Sequence, residues 1–525
     1  MGKKSFTLKL DRCLALVLIL YLILAILLIK YYRYQINPDG ISYISIAQKY
    51  LAGDFSNAVT GHWGPMISWL LMPFLQFSSD ALLVGKILTS LIGVSALIAI
   101  RALSYRFEMP ESARTTILFS AIPVILSFAF SDLTPDLLLT CMLLFYLTVI
   151  FSANYADRIN KGILCGALGG AAYLSKSFAF PFFISHFFIM NVLHYFRSNG
   201  KEEKKKVVRN FFAGAIVFAL ISGIWIGLIS NKYGEFTFGT SGKTTYRLRA
   251  APGAQVSAAL EEGFVEPPNE TAINIWEDPS YLKVPVSEPV VFGVFVKNQL
   301  RVTTGLIGKT AVILMDFSIL SVVIGVVYVL FWVRKFNIRA IPPEVLYPTV
   351  TIVIYAGGYS LVYVVARHLW PLCIMLMLMG GYVLGRLFES NFFTKTRRWA
   401  LLVVFFLSFA VPASQQLRVY AHRGELIHGL SEVLKSRIGP GDKIVSNRSW
   451  AGTLFLSYHL GCRYYGAQKK DISRTELERQ LEEYEIDYYL AWGGGPFDSG
   501  LLSGYREITG GRIPGLRIYG LKKRR

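Results

Sequence analysis

Charge is the scarcest ingredient of this chain. Of its 525 residues only 17% are Asp, Glu, Lys or Arg, where an average soluble chain carries about 25%. Such a composition excludes a disordered polyelectrolyte, which needs many charges and few apolar residues. Cysteine is scarce too. There are five: Cys13, Cys141, Cys165 and Cys373 lie in apolar runs, where small-residue packing is the default, and Cys462 stands alone in a polar tail. With no Cys-x-x-Cys and no Cys/His cluster, neither a disulfide framework nor a structural zinc site is expected. No Gly-rich loop follows a strand-like run to cradle phosphates. The formal charge of +20 would suggest nucleic acid on a soluble protein. No basic stripe is interleaved with exposed aromatics, however, so no nucleic-acid partner is expected.

What abounds is apolar sequence, 53% of residues, with 14% aromatic. It is gathered into runs of about twenty with almost no charge, the mark of membrane-spanning helices. A purely soluble protein is thereby excluded. Candidate spans cover 13–29, 80–100, 114–130, 137–153, 162–176, 178–196, 210–230, 307–332, 344–365, 369–385 and 399–413, about eleven transmembrane helices in all. The stretch 65–77 is short and interrupted by Pro65 and Pro73, so a re-entrant or interfacial helix is expected there. The first run follows MGKKSFTLKLDR. It is too long for a signal-peptide core and lacks a small-residue cleavage site, so it is read as a retained first helix.

Basic residues orient the spans. Lys and Arg number 22 in segments 1–12, 101–114, 154–162, 197–209, 333–341 and 386–398, and four in 31–79, 131–136 and around 176 and 367. The positive-inside rule places the first set, with the N-terminus, in the cytoplasm of a cell (inner or plasma) membrane. An odd number of spans then puts the C-terminus outside. Two large polar pieces fall on that outer side. The loop 231–306, with Pro252, Pro267, Pro268, Pro279, Pro285 and Pro289, is too irregular for one helix. From about 415 the charge density rises to 30 of 111 residues, which marks a boundary between a transmembrane domain, 1–414, and an extracytoplasmic α/β domain, 415–525. In the latter KIVSN (443–447) and DYYLAW (487–492) read as buried strands. RTELERQLEEYE (474–485) reads as an amphipathic helix, with Ser473 as N-cap and Glu476 three residues on.

Candidate chemistry lies on the outer face. In the first outer loop, 31–79, Asp39 stands just past the first helix. Ile41, Ile44, Ala47, Gln48 and Leu51 then recur at helical spacing, so a short amphipathic helix lying along the membrane is expected. An aspartate at its start serves as a cap or a catalyst, and the two roles are compatible. The second outer loop is Ser131-Asp132-Leu133-Thr134-Pro135-Asp136. Asp136 can be a first-turn acid favoured by the helix dipole, yet carboxylates at membrane depth are costly and usually functional. Cations on this face are few: Arg33, Lys176 and Arg367, with His62 and His368. They snorkel to the interface or bind an anionic head group, for which an arginine fork suits phosphate.

These residues, in this order, resemble the GT-C glycosyltransferases, and within them the protein O-mannosyltransferase and lipid A aminoarabinose transferase group. The features are a single helix followed by Asn-Pro-Asp39-Gly-x-x-Tyr43, a Gly-Pro65 element, and Pro135-Asp136-Leu-Leu-Leu at a helix mouth. Gly166-x-x-x-Gly170-Ala-Ala-Tyr-Leu-Ser-Lys176 and Arg367-His-Leu-Trp-Pro371 complete them. The resemblance implies a polytopic α-helical GT-C fold with a soluble outer domain. It implies an inverting transferase that takes a sugar from a polyprenyl-phosphate donor and passes it to an acceptor hydroxyl on protein, lipid or glycan. Asp39 would be the general base, and Asp132 or Asp136 would orient the acceptor or hold a divalent cation. Lys176 and Arg367 would bind the carrier phosphate, with His368, His62, Tyr43 and Arg33 nearby. A cation (Mg, Mn or Zn) held by Asp39 and Asp136 is compatible with the chemistry without being required by it. Two other readings compete: a transporter or flippase of lipid-linked saccharides, and a polysaccharide polymerase or ligase. A transporter predicts charged or broken helices at mid-membrane, whereas the ionisable residues here gather at one face, His186 excepted. The loop 231–306, with Trp276-Glu-Asp-Pro-Ser280 and Thr-Ser-Gly-Lys243, is expected to cap the site.

Overall fold

The computed structural model describes residues 11–250, 263–282, 292–333, 341–493, 502 and 504–521. The basic segment 1–10, Pro252, Pro285 and Pro289 of the long loop, and the basic residues of 334–340 lie outside the described residues.

The apolar runs become helices. Their order is α1 Arg12–Tyr32, α2 Pro38–Leu51, α3 Phe55–Ala58, α4 Met66–Leu75, α5 Ala81–Ser104, α6 Glu111–Ser131, α7 Asp136–Ile150, α8 Ile159–Ser175, α9 Ala179–Arg197, α10 Lys201–Tyr233, α11 Ser241–Ala250, α12 Phe292–Phe317, α13 Leu320–Val333, α14 Pro343–Ser360, α15 Trp370–Phe388 and α16 Lys395–Tyr420. α1 shows how such a helix meets the bilayer. Leu14, Val17, Tyr21 and Ala25 recur on one buried face, while Leu16, Ile19, Ile23, Ile26 and Leu27 are exposed apolar side chains. A helix apolar all round belongs in a membrane.

Each expected span falls on a helix. Among the described residues seven helical segments are long and apolar enough to cross a membrane alone, and a bent pair makes an eighth. With 15, 17 and 18 residues, α7, α8 and α14 are shorter than any of those seven. The expected single span 307–332 is this bent pair: α12 and α13 meet at 119°. The break has a local cause. Ser318 Oγ accepts from the backbone N of Leu320 at 3.2 Å and so starts a new helix. α4, ten residues beginning after Pro65, is too short to span, as expected for 65–77.

α2 departs further from expectation. Instead of lying amphipathically along a surface, it is buried at every residue from Asp39 to Ala47. It packs on α4, where Ser68 Oγ donates to the carbonyl of Tyr43 at 2.9 Å, and on the turn Ile275–Glu277.

α8 and α10 touch backbone to backbone. A Cβ at Gly166 would lie 2.1 Å from the carbonyl O of Gly214, and one at Gly162 would lie 2.3 Å from that of Asn210. Small residues allow this approach between membrane helices.

The C-terminal part forms a five-stranded sheet in the order β2-β1-β3-β5-β4, with β1 Lys443–Ser446, β2 Arg463–Ala467, β3 Tyr488–Trp492, β4 Arg506–Glu507 and β5 Leu516–Gly520. β1 runs parallel to β2 and β3, and β5 runs antiparallel to β3 and β4. Three helices flank it: α17 Glu425–Leu434, α18 Trp450–Leu460 and α19 Arg474–Glu483. Period-two alternation divides its core. Ile444 and Leu490 pack with Leu434 and Leu456, while Val445 and Tyr489 pack on the other face with Leu477 and Leu481 of α19. The expected cap of α19 is formed, Ser473 Oγ accepting from Glu476 N at 3.2 Å. The outer edge of β2 is covered by the long loop: Val265 N donates to Tyr465 O at 2.6 Å and Tyr464 N to Ile273 O at 2.7 Å. Edge strands are commonly protected in this way. An apolar joint of Ile41, Ile275, Trp450, Leu454 and Tyr464 seats the sheet region on α2.

Candidate active site

The site is assembled at the helix mouths. Asn37 is the N-cap residue of α2 and Pro38 its first residue. Asn37 Oδ1 does not cap its own helix; it accepts from Leu133 N at 3.0 Å and thereby ties the segment after α1 to the loop between α6 and α7. The tie demands Gly40, where a Cβ would lie 2.7 Å from Asn37 Oδ1 and 3.0 Å from Leu133 Cβ. With the cap position taken by Asn37, the Asp39 carboxylate turns into the protein. Its Oδ2 accepts from Arg367 Nη2 at 2.5 Å and its Oδ1 from the indole N–H of Trp276 at 3.0 Å.

Arg367, in the 3₁₀ turn Ala366–Leu369, collects all three acids. Beside its bond to Asp39, Nη1 lies 3.6 Å from Asp132 Oδ2 and Nε lies 3.5 Å from Asp136 Oδ2. Asp136, the first residue of α7, is 2% exposed, and its other oxygen accepts from Lys176 Nζ at 2.6 Å. Lys176 ends α8. Residues from five separated segments thus converge on one spot, and Asp39, Asp132 and Asp136 share a single guanidinium.

A cavity of about 800 Å³ opens from this cluster. Asp39, Tyr43, His62, Asp136, Lys176, Arg367 and His368 line it, together with Trp63, Trp276 and Lys243. Apolar side chains make up much of the remaining lining, among them Phe178 and Phe182 at the start of α9, Ile354 of α14 and Val362 just beyond it. His62 packs edge-on against Trp63 and tilted against Trp276. Burial drags its imidazole down to about 4, against the opposing pull of Asp278 and Asp39, so at neutral pH it is uncharged. Burial also raises the Asp132 carboxyl, opposed by Arg367 and Lys86. His368 stacks on Tyr359 with centroids 4.4 Å apart.

Arg33 is placed elsewhere. It is exposed and pairs with Asp80 at 2.8 Å, which itself caps α5 through Leu83 N. The segment after α1 runs beside the start of α5, so its arginine meets that cap instead of the cavity. Two contributors escaped the sequence reading. Lys86, 2% exposed, donates to Gln35 Oε1 at 2.6 Å and to Phe130 O at 3.3 Å just behind Asp132; a lone lysine inside the apolar run 80–100 was its signal. Trp276 lay in a loop expected to cap the site, and it does line the cavity, but nothing local announced its bond to Asp39.

For a divalent cation the fit is poor. Among the described residues no group of three or more His, Cys, Asp or Glu is arranged to hold a metal. Between Asp39 and Asp136, where the ion would sit, lies the guanidinium of Arg367. No step below is routed through a metal.

Residues 62–226 match the family model of dolichyl-phosphate-mannose-protein mannosyltransferases. No curated protein sequence matches the chain. Among solved structures, ArnT from Cupriavidus metallidurans bound to undecaprenyl phosphate superposes with a TM-score of 0.57 at 13% identity, covering 96% of this chain and 97% of that one. This chain has the GT-C fold. The oligosaccharyltransferase AglB from Archaeoglobus fulgidus, in complex with an inhibitory peptide and a dolichol-phosphate, shares the GT-C fold with a TM-score of 0.54 at 11% identity, over 92% of this chain and 69% of that one. The GT-C architecture here is a multi-span membrane protein with its acids and cations at the mouths of the helices and a small sheet region above them.

Proposed function

We propose that the chain is an inverting glycosyltransferase that moves a sugar from a polyprenyl-phosphate donor to an acceptor hydroxyl, with Asp39 as general base. The observation that carries this reading is the shared cavity. Its lining combines carboxylates paired with two cations, Lys176 and Arg367, and apolar side chains of α9 and α14. A phosphate would face Lys176 and Arg367, and an isoprenoid tail would lie against the apolar side chains. That ArnT was solved with undecaprenyl phosphate and AglB with a dolichol-phosphate supports the same donor class here.

The chemistry follows from the charges. The acceptor oxygen attacks the anomeric carbon while the bond from that carbon to the phosphate oxygen breaks. The acceptor proton passes to Asp39, and the polyprenyl phosphate leaves with the bonding electrons. Preorganised cations stabilise the departing phosphate without reorganising, and a positioned carboxylate takes the proton. Asp136 anchors both cations, through Lys176 Nζ at 2.6 Å and Arg367 Nε at 3.5 Å. Arg367 links the two halves of the reaction. A phosphate that draws its guanidinium away from Asp39 leaves that carboxylate more basic when the acceptor must be deprotonated. The basic asymmetry of the loops supports the outer face of a cell membrane as the side on which this cavity opens.

The test is Asp39→Asn in lipid nanodiscs. Turnover of the donor should fall by about 10²-fold or more, while binding of undecaprenyl phosphate persists. Retained turnover would remove Asp39 as the base. Mass spectrometry of envelope glycans in a strain lacking the protein would identify the sugar.

A further inference from the structure

No described residue of the sheet region lines the cavity, yet the region reaches the site through a side chain of the loop laid against it. Trp276 Nε1 donates to Asp39 Oδ1 at 3.0 Å, and Arg367 donates to Oδ2. With one bond to each oxygen, the plane of the Asp39 carboxylate is fixed. A carboxylate offers about four lone-pair sites, so two remain for an incoming hydroxyl.

Trp276 in turn is held from every side. Its carbonyl accepts from Trp63 Nε1 at 3.1 Å and from Ser42 Oγ at 3.3 Å. Its indole meets Trp450, in the first turn of α18, edge-on with centroids 6.2 Å apart, and Trp63 at 6.0 Å. The next residue, Glu277, pairs with Lys49 of α2, both side chains under 5% exposed. Asp278 follows and accepts from Tyr233 Oη at 2.7 Å. Before it, the loop runs along β2 through Tyr464 N to Ile273 O and Val265 N to Tyr465 O.

We propose that Trp276 is a positioning residue for Asp39, and that the C-terminal sheet region is the brace that holds it there, through Trp450 and the edge of β2. This rests on Asp39 as the base, and it gives the sheet region a task inside the reaction. The brace explains why a single Trp sits between two Trp neighbours at this point. Aromatic pairs in edge-on contact fix ring orientation, and a hydrogen bond to a charged oxygen is directional.

The test has two arms on the full chain in nanodiscs. The first is hydrogen exchange, read without any substrate. Trp450→Ala should raise exchange in 263–282 and in α2 by several-fold, whereas Leu426→Ala, on the exposed face of α17, should leave both unchanged. Equal protection in Trp450→Ala and the wild type overturns the brace. The second arm is the pH profile of undecaprenyl phosphate release from the undecaprenyl-phosphate sugar that the wild type consumes. Trp276→Phe keeps the ring and removes the donor, so the carboxylate loses a hydrogen bond that favours its charged form. Across the profile kcat should fall with KM little changed, and undecaprenyl phosphate should bind as before. A profile identical to the wild type overturns the positioning role. If the wild type releases no carrier from any polyprenyl-phosphate sugar, the catalytic reading fails. The exchange arm then still decides whether the sheet region braces Trp276.

Discussion

Removing Arg367 is the sharpest perturbation the cluster offers. In Arg367→Gln the carboxylates of Asp39, Asp132 and Asp136 lose the one cation they share, at 2.5, 3.6 and 3.5 Å. At such distances the pairs attract by about 5–7 kcal/mol each with an effective dielectric of about 20. Much of that offsets the desolvation of the charges, and stripping one partner from a buried pair costs about 3–5 kcal/mol net. Arg367 is 29% exposed, so the lower end is the better figure. With roughly 2.1 cal/mol/K of unfolding entropy per residue, about 3 kcal/mol lowers Tm by about 3 °C in a chain of this length. The assay is thermal unfolding of the detergent-solubilised protein followed by intrinsic fluorescence. The decisive control is the second charge: Arg367→Gln with Asp132→Asn should regain part of the loss, because a repelling carboxylate has gone. Arg367→Lys, which cannot fork among three acids, should fall between the wild type and Arg367→Gln. A stable Arg367→Gln, or strict additivity with Asp132→Asn, would refute the view that this guanidinium organises the site.

Two further outcomes follow from the same geometry. His62, held near 4 when folded against an ordinary value of 6.5, binds fewer protons folded than unfolded between those limits, so stability should rise with pH from about 4 to 6.5; His62→Gln should flatten that rise, by about 1–2 kcal/mol given its partial exposure, in Tm measured across the range. At Gly64 an added Cβ would lie 2.4 Å from the carbonyl O of Ser175 and 2.5 Å from that of Leu174, so Gly64→Ala should push the segment before α4 off the end of α8, costing about 1–3 kcal/mol and loosening Lys176, read as weaker binding of undecaprenyl phosphate.

What could be read from the sequence depended on how far the information had to travel. Asp39, Asp136, Lys176 and Arg367 were legible because each sits at the mouth of an apolar run, and the alternation of spans assigns every mouth to one face. Their convergence needed only that the mouths be close. Trp276 was not legible in its role, because its place depends on a loop laid along β2, nearly two hundred residues further on. Lys86 was hidden by its apolar neighbours, and the bend between α12 and α13 by the mean hydropathy of 307–332, which outweighed the polar Asp316 and Ser318. α2 was misjudged because its period-3.6 face was weighed without the α4 turn and the sheet region that cover its other sides.

The contact between α8 and α10 has a consequence for motion. Where Gly162 and Gly166 meet Asn210 and Gly214, main chain rests on main chain with no side chain between to change rotamer, so neither rod can twist or slide past the other by small steps. Lys176, riding at the tip of α8, is therefore mounted on a stationary rail. In the proposed reaction the wall left to yield to a long lipid is α14, which packs beside the sharply folded pair α12 and α13.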